Sequence, residues 1–240
     1  MAKSLPIGKA TTNTKSPWHL HGSQIVSIDV ETTGLDPMLH EIFQIACVAL
    51  DYQFKPLKGV KKFVMSMQLD SPETVDYEGI RQAGYSRKRL HLHTQYGLSQ
   101  QEGVEYFKNW IEDLELAPNR RICPLALNWQ FDKPFIQQWL GNKLFGNLFH
   151  PHYRDLIPLV QFINDLYYIK GEDPPYRQAN LAYLAKTLKV DNLKHHDALN
   201  DVIVTAEIYR RLLNKYQMAL NLNAFRGGGE EDYGNIVTED

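Results

Sequence analysis

The chain is sparing in the features that would assign it to a special class. It has two cysteines among 240 residues, Cys47 and Cys123, each inside an apolar, strand-like run. That excludes a disulfide framework and fits two buried thiols in a reducing compartment. No apolar run approaches the ~20 residues of a membrane span, and the N-terminus has lysines without an apolar stretch, so neither a span nor a signal peptide is expected. The net charge is −2, so a nucleic-acid partner would have to meet a local basic surface rather than a basic protein. Apolar and charged fractions are ordinary, and the length is ample for one α/β domain with a substantial core.

Lys3, Lys9 and Lys15 sit in residues 1–22, which contain no acid; this stretch reads as a flexible basic N-terminal arm, solvated or touching phosphates. Residues 23–222 read as the folded domain. Residues 223–240 form a glycine-rich acidic tail in which 227–240 hold five acids and no base, either a loose tail or a docking peptide for a protein partner.

Within the domain, Gln24–Glu31, Glu41–Leu50, Val60–Leu69 and Arg121–Asn128 carry strand patterns. Phe63, Met65 and Met67 share one face of the third. Ser71-Pro72 is suited to start a short helix. Ser99 with Glu102 is a capping box opening a helix over Ser99–Leu116, whose apolar stripe takes Trp110 into the core. Further helices are expected over about Pro134–Leu140, Leu156–Lys170 with Leu159, Phe162, Ile163 and Leu166 on one face, Ala179–Leu188, and Ala198–Leu213 continuing toward Leu222. Asn142–His152 reads as a loop. Arg81, Arg87, Lys88, Arg89, His91 and His93, with Tyr85 and Tyr96 between them, form a basic cluster that serves equally as a nucleic-acid surface or a solvated helix face.

The stretch with chemical content is Ser27-Ile28-Asp29-Val30-Glu31-Thr32-Thr33-Gly34. Strand alternation sends Val26, Ile28 and Val30 to one face and Ser27, Asp29 and Glu31 to the other. Two carboxylates so close repel unless a cation joins them, and hard oxygen donors suit Mg²⁺ or Mn²⁺. Two more acids are oddly placed. Asp132 falls where a strand meets a helix. Asp201 lies about one turn into the last helix, in line with Asp197, Thr205 and Ile208, and bordering the stripe of Leu199, Val202, Ala206, Tyr209 and Leu213. His195 and His196 precede it.

Asp29-x-Glu31-Thr-Thr-Gly34, Asn128-x-x-Phe-Asp132 and His196-x-x-x-x-Asp201 occur in that order. Together they resemble the motifs of the DEDDh 3′→5′ exonucleases of the RNase H-like superfamily, whose members include the epsilon proofreading subunit of bacterial replicative polymerase, RNase T and oligoribonuclease. The resemblance covers residues 24–213. One departure is Leu127 where many relatives have histidine before the asparagine. The resemblance implies an α/β fold with an RNase H-like mixed β-sheet flanked by helices, and hydrolysis at single-stranded 3′ ends with release of nucleoside 5′-monophosphates. It implies two divalent ions, with Asp29 bridging both, Glu31 and Asp201 completing one site, Asp132 holding the second, and His196 as general base; His195 is expected at the surface. Thr32, Thr33, Gly34 and Leu35 should meet the 3′-terminal nucleotide, with Asn128, Trp129 and Phe135 as further substrate contacts and Phe43 and Phe131 as other aromatics within reach, Phe131 more suited to the core. The expected partner is single-stranded DNA or RNA, DNA slightly favoured, in the cytoplasm. The alternatives are an RNase T- or oligoribonuclease-like exoribonuclease, a polymerase-associated proofreading subunit, and a non-catalytic nucleic-acid-binding module.

Overall fold

The computed structural model describes residues 22–82, 84–191 and 197–219. Its centre is β1 (Gln24–Thr32), flanked on one side by β2 (Ile42–Ala49) and β3 (Phe63–Ser66) and on the other by β4 (Ile122–Ala126) and β5 (Arg154–Asp155), in the order β3-β2-β1-β4-β5. The first three strands form an antiparallel meander, whereas β4 and β5 run parallel to β1, giving the expected mixed sheet. The helices are α1 (Tyr77–Gln82), α2 (Arg87–Gln95), α3 (Gln100–Glu112), α4 (Trp129–Leu140), α5 (Asn142–Leu148), α6 (Leu156–Ile169), α7 (Leu181–Thr187) and α8 (Ala198–Ala219).

Both faces of the sheet are covered. Val26, Ile28 and Val30 pack with Ile45, Cys47, Phe63 and Met65 beneath Phe107, Trp110 and Ile111 of α3 and Phe135 and Ile136 of α4. On the opposite face Ile25, Ala46, Val48, Cys123 and Leu125 meet Ala198, Val202 and Ala206 of α8. The small side chains bring α8 close enough for the Ser27 hydroxyl, fully buried, to donate to the Val202 carbonyl at 2.8 Å. A buried hydroxyl needs such a partner. Cys47 and Cys123 thus lie on opposite faces of the sheet, both buried and both free.

Helix α8 is more deeply buried than its stripe suggests. Val204, Ile208 and Leu212 form a second apolar face against Leu156, Val160 and Ile163 of α6 and Leu184 of α7. Ile208, expected beside the acids on the polar side, is therefore core. In α6 the buried set is Leu156, Val160 and Ile163, while Phe162 points outward and is 58% exposed. A fourth cluster of Phe43, Val75, Ile80, Tyr85 and Leu90 seats α1 and α2 on the end of β2.

Other local expectations need adjustment. The third strand keeps only its middle, although Phe63, Met65 and Met67 are all buried on one face. Pro72–Thr74 is a single 3₁₀ turn with Pro at its start and no side-chain cap from Ser71. The Ser99–Glu102 capping box is complete, and Trp110 is buried, its indole N–H donating to the Lys61 carbonyl. Asn142–Leu148 is helix α5 instead of a loop, because Leu144, Phe145 and Leu148 pack on the main core despite Gly141 before the helix and Gly146 within it. Helix α4 starts five residues before Pro134, so that proline lies inside it.

Candidate active site

The reason for the early start of α4 lies on β5. The Asp155 carboxylate accepts the backbone N–H groups of Asn128 (3.0 Å) and Trp129 (2.7 Å), and also that of Ile157 (2.9 Å) at the start of α6. One buried side chain thus caps two helices. Asn128 takes the left-handed conformation (φ 68°, ψ 54°) that turns the chain from β4 into α4, a conformation asparagine tolerates better than most residues. With β4 parallel to β1, this turn falls at the C-terminal end of β1. There Asp132, 3% exposed, accepts the Val30 backbone N–H at 3.1 Å.

Beside it, alternation along β1 directs Asp29 and Glu31 toward α8, whose first turn supplies Asp201. Carboxylate oxygens of Asp29, Glu31 and Asp201 all lie within 4.8 Å of one another. Burial, followed by the charges of Asp132, Glu31 and Asp201, holds the Asp29 carboxyl well above the ordinary range. Burial and Asp201 push Glu31 up to about 8, against the opposing pull of a Tyr85 hydrogen bond and the Arg89 charge. Burial raises Asp132 to about 8, the Val30 N–H offsetting part of it. Acids arranged to oppose their own ionisation are costly in a bare protein, and a divalent cation with a preference for hard oxygen resolves the conflict. The donor set fits such an ion.

Several residues complete the surroundings without having been expected there. Tyr85 is 3% exposed; its hydroxyl donates to the Gln44 side-chain oxygen at 3.5 Å and, beside Glu31, favours the charged form of that carboxylate. The same Gln44 oxygen accepts the Ala198 N–H at 3.2 Å, which ties β2 to the start of α8. The Arg89 guanidinium stands 4.2 Å over the Tyr85 ring and 3.6 Å from the Asp197 carboxylate. Asp197 in turn accepts the Asn200 N–H in the first turn of α8. Gln44, a lone amide within a run of apolar strand residues, was the available signal for this network. Asp155 carried none, since its role depends on two helices that meet only in the fold.

The expected substrate contacts divide. Leu35 is 75% exposed beside the acids' strand end. Thr32 is half-buried, its hydroxyl donating to the Gly34 carbonyl. Thr33 is buried, its hydroxyl accepting the Glu41 N–H; its side chain maintains the turn and is not offered to a ligand. A side chain at Gly34 would run into the His40 ring. Asn128 is exposed. Trp129 and Phe135 need correction as stacking platforms, since each is 2% exposed in the main core. The early start of α4 turns Trp129 inward, onto Phe149. Phe135 reaches only the wall of a groove of about 360 Å³ that it shares with His40, Glu41 and Trp139. Phe43 is wholly buried against Tyr85, and Phe131, partly covered, packs against the main core as expected. His195 and His196 lie outside the described residues.

A mixed five-stranded sheet with four acids converging at the end of its central strand, in the order of the three motifs, defines the class: a DEDDh-type 3′→5′ exonuclease of the RNase H-like superfamily. The exonuclease family model RNase_T matches residues 26–209, and the chain belongs to that family. Among its relatives is the 3′-5′ DNA exonuclease Cap18 of Escherichia coli, 27% identical over 187 residues that cover 77% of this chain and 89% of that protein. A PolC-type DNA polymerase III of Thermotoga maritima is 26% identical over 188 residues, 78% of this chain but 12% of the polymerase. Among solved structures, Exonuclease I of Methylocaldum szegediense shares the fold with a TM-score of 0.61 at 18% identity, and E. coli Exonuclease I in complex with a dT13 oligonucleotide with 0.59 at 18%. Each aligns with 85% of this chain, which spans 43% of either Exonuclease I chain.

Proposed function

We propose that this exonuclease shortens single-stranded nucleic acid from its 3′ end by two-metal-ion hydrolysis, releasing nucleoside 5′-monophosphates, with DNA favoured over RNA. The observation that carries the reading is the convergence of Asp29, Glu31 and Asp201 oxygens within 4.8 Å, with Asp132 on the adjoining helix. These four carboxylates would hold Mg²⁺ or Mn²⁺. Bound there, two such ions would provide nucleophile activation, charge neutralisation at the phosphate and stabilisation of the leaving 3′ oxygen.

The chain's own residues have distinct parts in this reading. His196 is the general base, an imidazole whose ordinary pKa of ~6.5 suits proton removal from the attacking water near neutrality. Tyr85 orients Glu31 through its hydroxyl. Leu35, exposed beyond the Thr-Thr-Gly turn, packs against the terminal base, and the backbone of that turn receives the terminal sugar. The preference for DNA draws its support from relatives: Cap18 is named a DNA exonuclease, and the E. coli Exonuclease I structure holds a dT13 strand. The PolC similarity supports a second reading, in which the same activity proofreads beside a polymerase. The two buried free thiols fit a cytoplasmic setting, and no helix among the described residues is long and apolar enough to cross a membrane.

The test is degradation of matched 5′-labelled single-stranded DNA and RNA by the wild-type protein and Asp29→Asn, with Mg²⁺, with Mn²⁺ and with chelator. A metal-dependent ladder shortening from the 3′ end, faster on DNA and absent in the variant, is expected. A ladder that persists in chelator or in the variant refutes the metal-site assignment, and a faster RNA ladder reverses the substrate preference.

A further inference from the structure

The basic cluster around α2 is divided by the fold, and the division is informative. Arg81 is engaged by Glu78, its neighbour on α1. His93 turns inward to the Ser66 hydroxyl at 2.8 Å, and Leu90 is buried beneath the helix. Arg89 leans to the acids, against Tyr85 and Asp197. Arg87, Lys88 and His91 face outward and are exposed, on a helix that contains no acid. Arg87 is held in place over the Tyr77 ring at 4.4 Å, so its charge is presented from an ordered position. At the far end of α2, Tyr96 is 78% exposed.

We propose that this outward face of α2 is a track for the phosphates of the substrate strand upstream of the reacting nucleotide, with Tyr96 offering a ring to a base at its far end. The proposal rests on the exonuclease reading and extends it from the reacting end to the strand behind it. Its physical basis is charge. The chain's net charge of −2 supplies no general attraction for a polyanion. An incoming strand therefore needs a local positive surface that begins at the lip of the acidic cluster. Helix α2 meets that requirement, because Arg89 in its first turn already touches Asp197, the residue that caps α8. Lysine and arginine contacts to phosphate carry no base preference, and aromatic stacking is similarly tolerant of sequence, so the track fits processing of strands of any sequence. It also gives longer strands an advantage over short ones.

The experiment compares the wild type with Arg87→Gln/Lys88→Gln, both exposed positions, on 5′-labelled single-stranded DNA of two and of twelve nucleotides over a range of salt. Matching melting temperatures establish that the variant is folded. The advantage of the 12-mer over the dinucleotide in kcat/KM should shrink about tenfold in the variant, through KM. The slope of log kcat/KM for the 12-mer against log salt should flatten by about 1.4, at ~0.7 for each phosphate of a single strand that the variant no longer neutralises. Equal length dependence and equal salt slopes would overturn the proposal and leave α2 a solvated face. If the wild type degrades nothing, the exonuclease reading fails by itself, and the track is judged by fluorescence anisotropy of a labelled 12-mer bound to Asp29→Asn. Weaker binding when the two glutamines are added supports it, and unchanged binding overturns it.

Discussion

The crowding of Asp29, Glu31 and Asp201 predicts that removing one charge stabilises the metal-free protein. Two unit charges no more than 4.8 Å apart repel by about 3.5 kcal/mol or more at an effective dielectric of 20, and Asp29 faces two such neighbours. Protonation limits the penalty. With Glu31 held at about 8, neutralising it at pH 7 costs at most ~3.4 kcal/mol, at 1.36 kcal/mol for each pH unit above its ordinary value. Because Asp29 and Glu31 keep some contact with water, solvent screening reduces this to about 1–2 kcal/mol. Asp29→Asn should therefore raise the melting temperature in chelator by about 2–8 °C for a domain of this size. The pH dependence carries a definite sign. Glu31 and Asp132 have folded-state values near 8, above those of the unfolded chain. Between about pH 4.5 and 8 the folded protein thus binds more protons than the unfolded one, and stability falls as pH rises. The metal-free wild type should melt progressively lower across that window, and the variant should decline less. Adding Mg²⁺ or Mn²⁺ should invert the order, since only the wild type gains substantial binding energy. A calorimetric or fluorescence melt series in chelator at pH 5, 7 and 9 makes the measurement. A variant no more stable than wild type at pH 9, or a wild type that grows more stable with pH throughout, would refute the electrostatic argument.

Two further substitutions test other parts of the site. His196→Ala should lower turnover on the order of 10²–10⁴-fold while keeping the metal-induced rise in melting temperature; near-normal turnover removes His196 as the base. Asp155→Asn exchanges one of the oxygens that accept the Asn128, Trp129 and Ile157 N–H groups for an amide, costing ~1–3 kcal/mol. If Asp155 also positions Asp132, kcat should fall and the metal concentration for half-maximal rate should rise at temperatures where the variant is fully folded. Reduced stability with normal metal dependence would confine Asp155 to a structural role.

Alternation along β1 sufficed to separate Val26, Ile28 and Val30 from Asp29 and Glu31, because a two-residue period is a local property of the strand. The Ser99–Glu102 cap was legible for the same reason, as was the near-continuous apolar run of β2. Trp129 and Phe135 were misplaced because their exposure depends on where α4 begins. That position is decided by Asp155, more than twenty residues away along the chain. The helix over Asn142–Leu148 was illegible because packing on the main core overrides the weak helix signal of a glycine- and asparagine-rich segment.

By itself the sequence determined which residue types stand at the ends of which elements: two acids closing a strand, one opening a helix, another one turn into the last helix. Only the tertiary structure brought them together. The parallel pairing of β4 with β1 carries Asp132 to Val30, and small residues on the sheet and on α8 let Asp201 approach Asp29 and Glu31. It also decided that Tyr85 and Arg89 serve the acidic site while Arg87 and Lys88 face water. The division has a physical origin: periodicity and capping act over a few residues, whereas electrostatic convergence and burial depend on groups far apart in the chain, which only the packed fold makes neighbours.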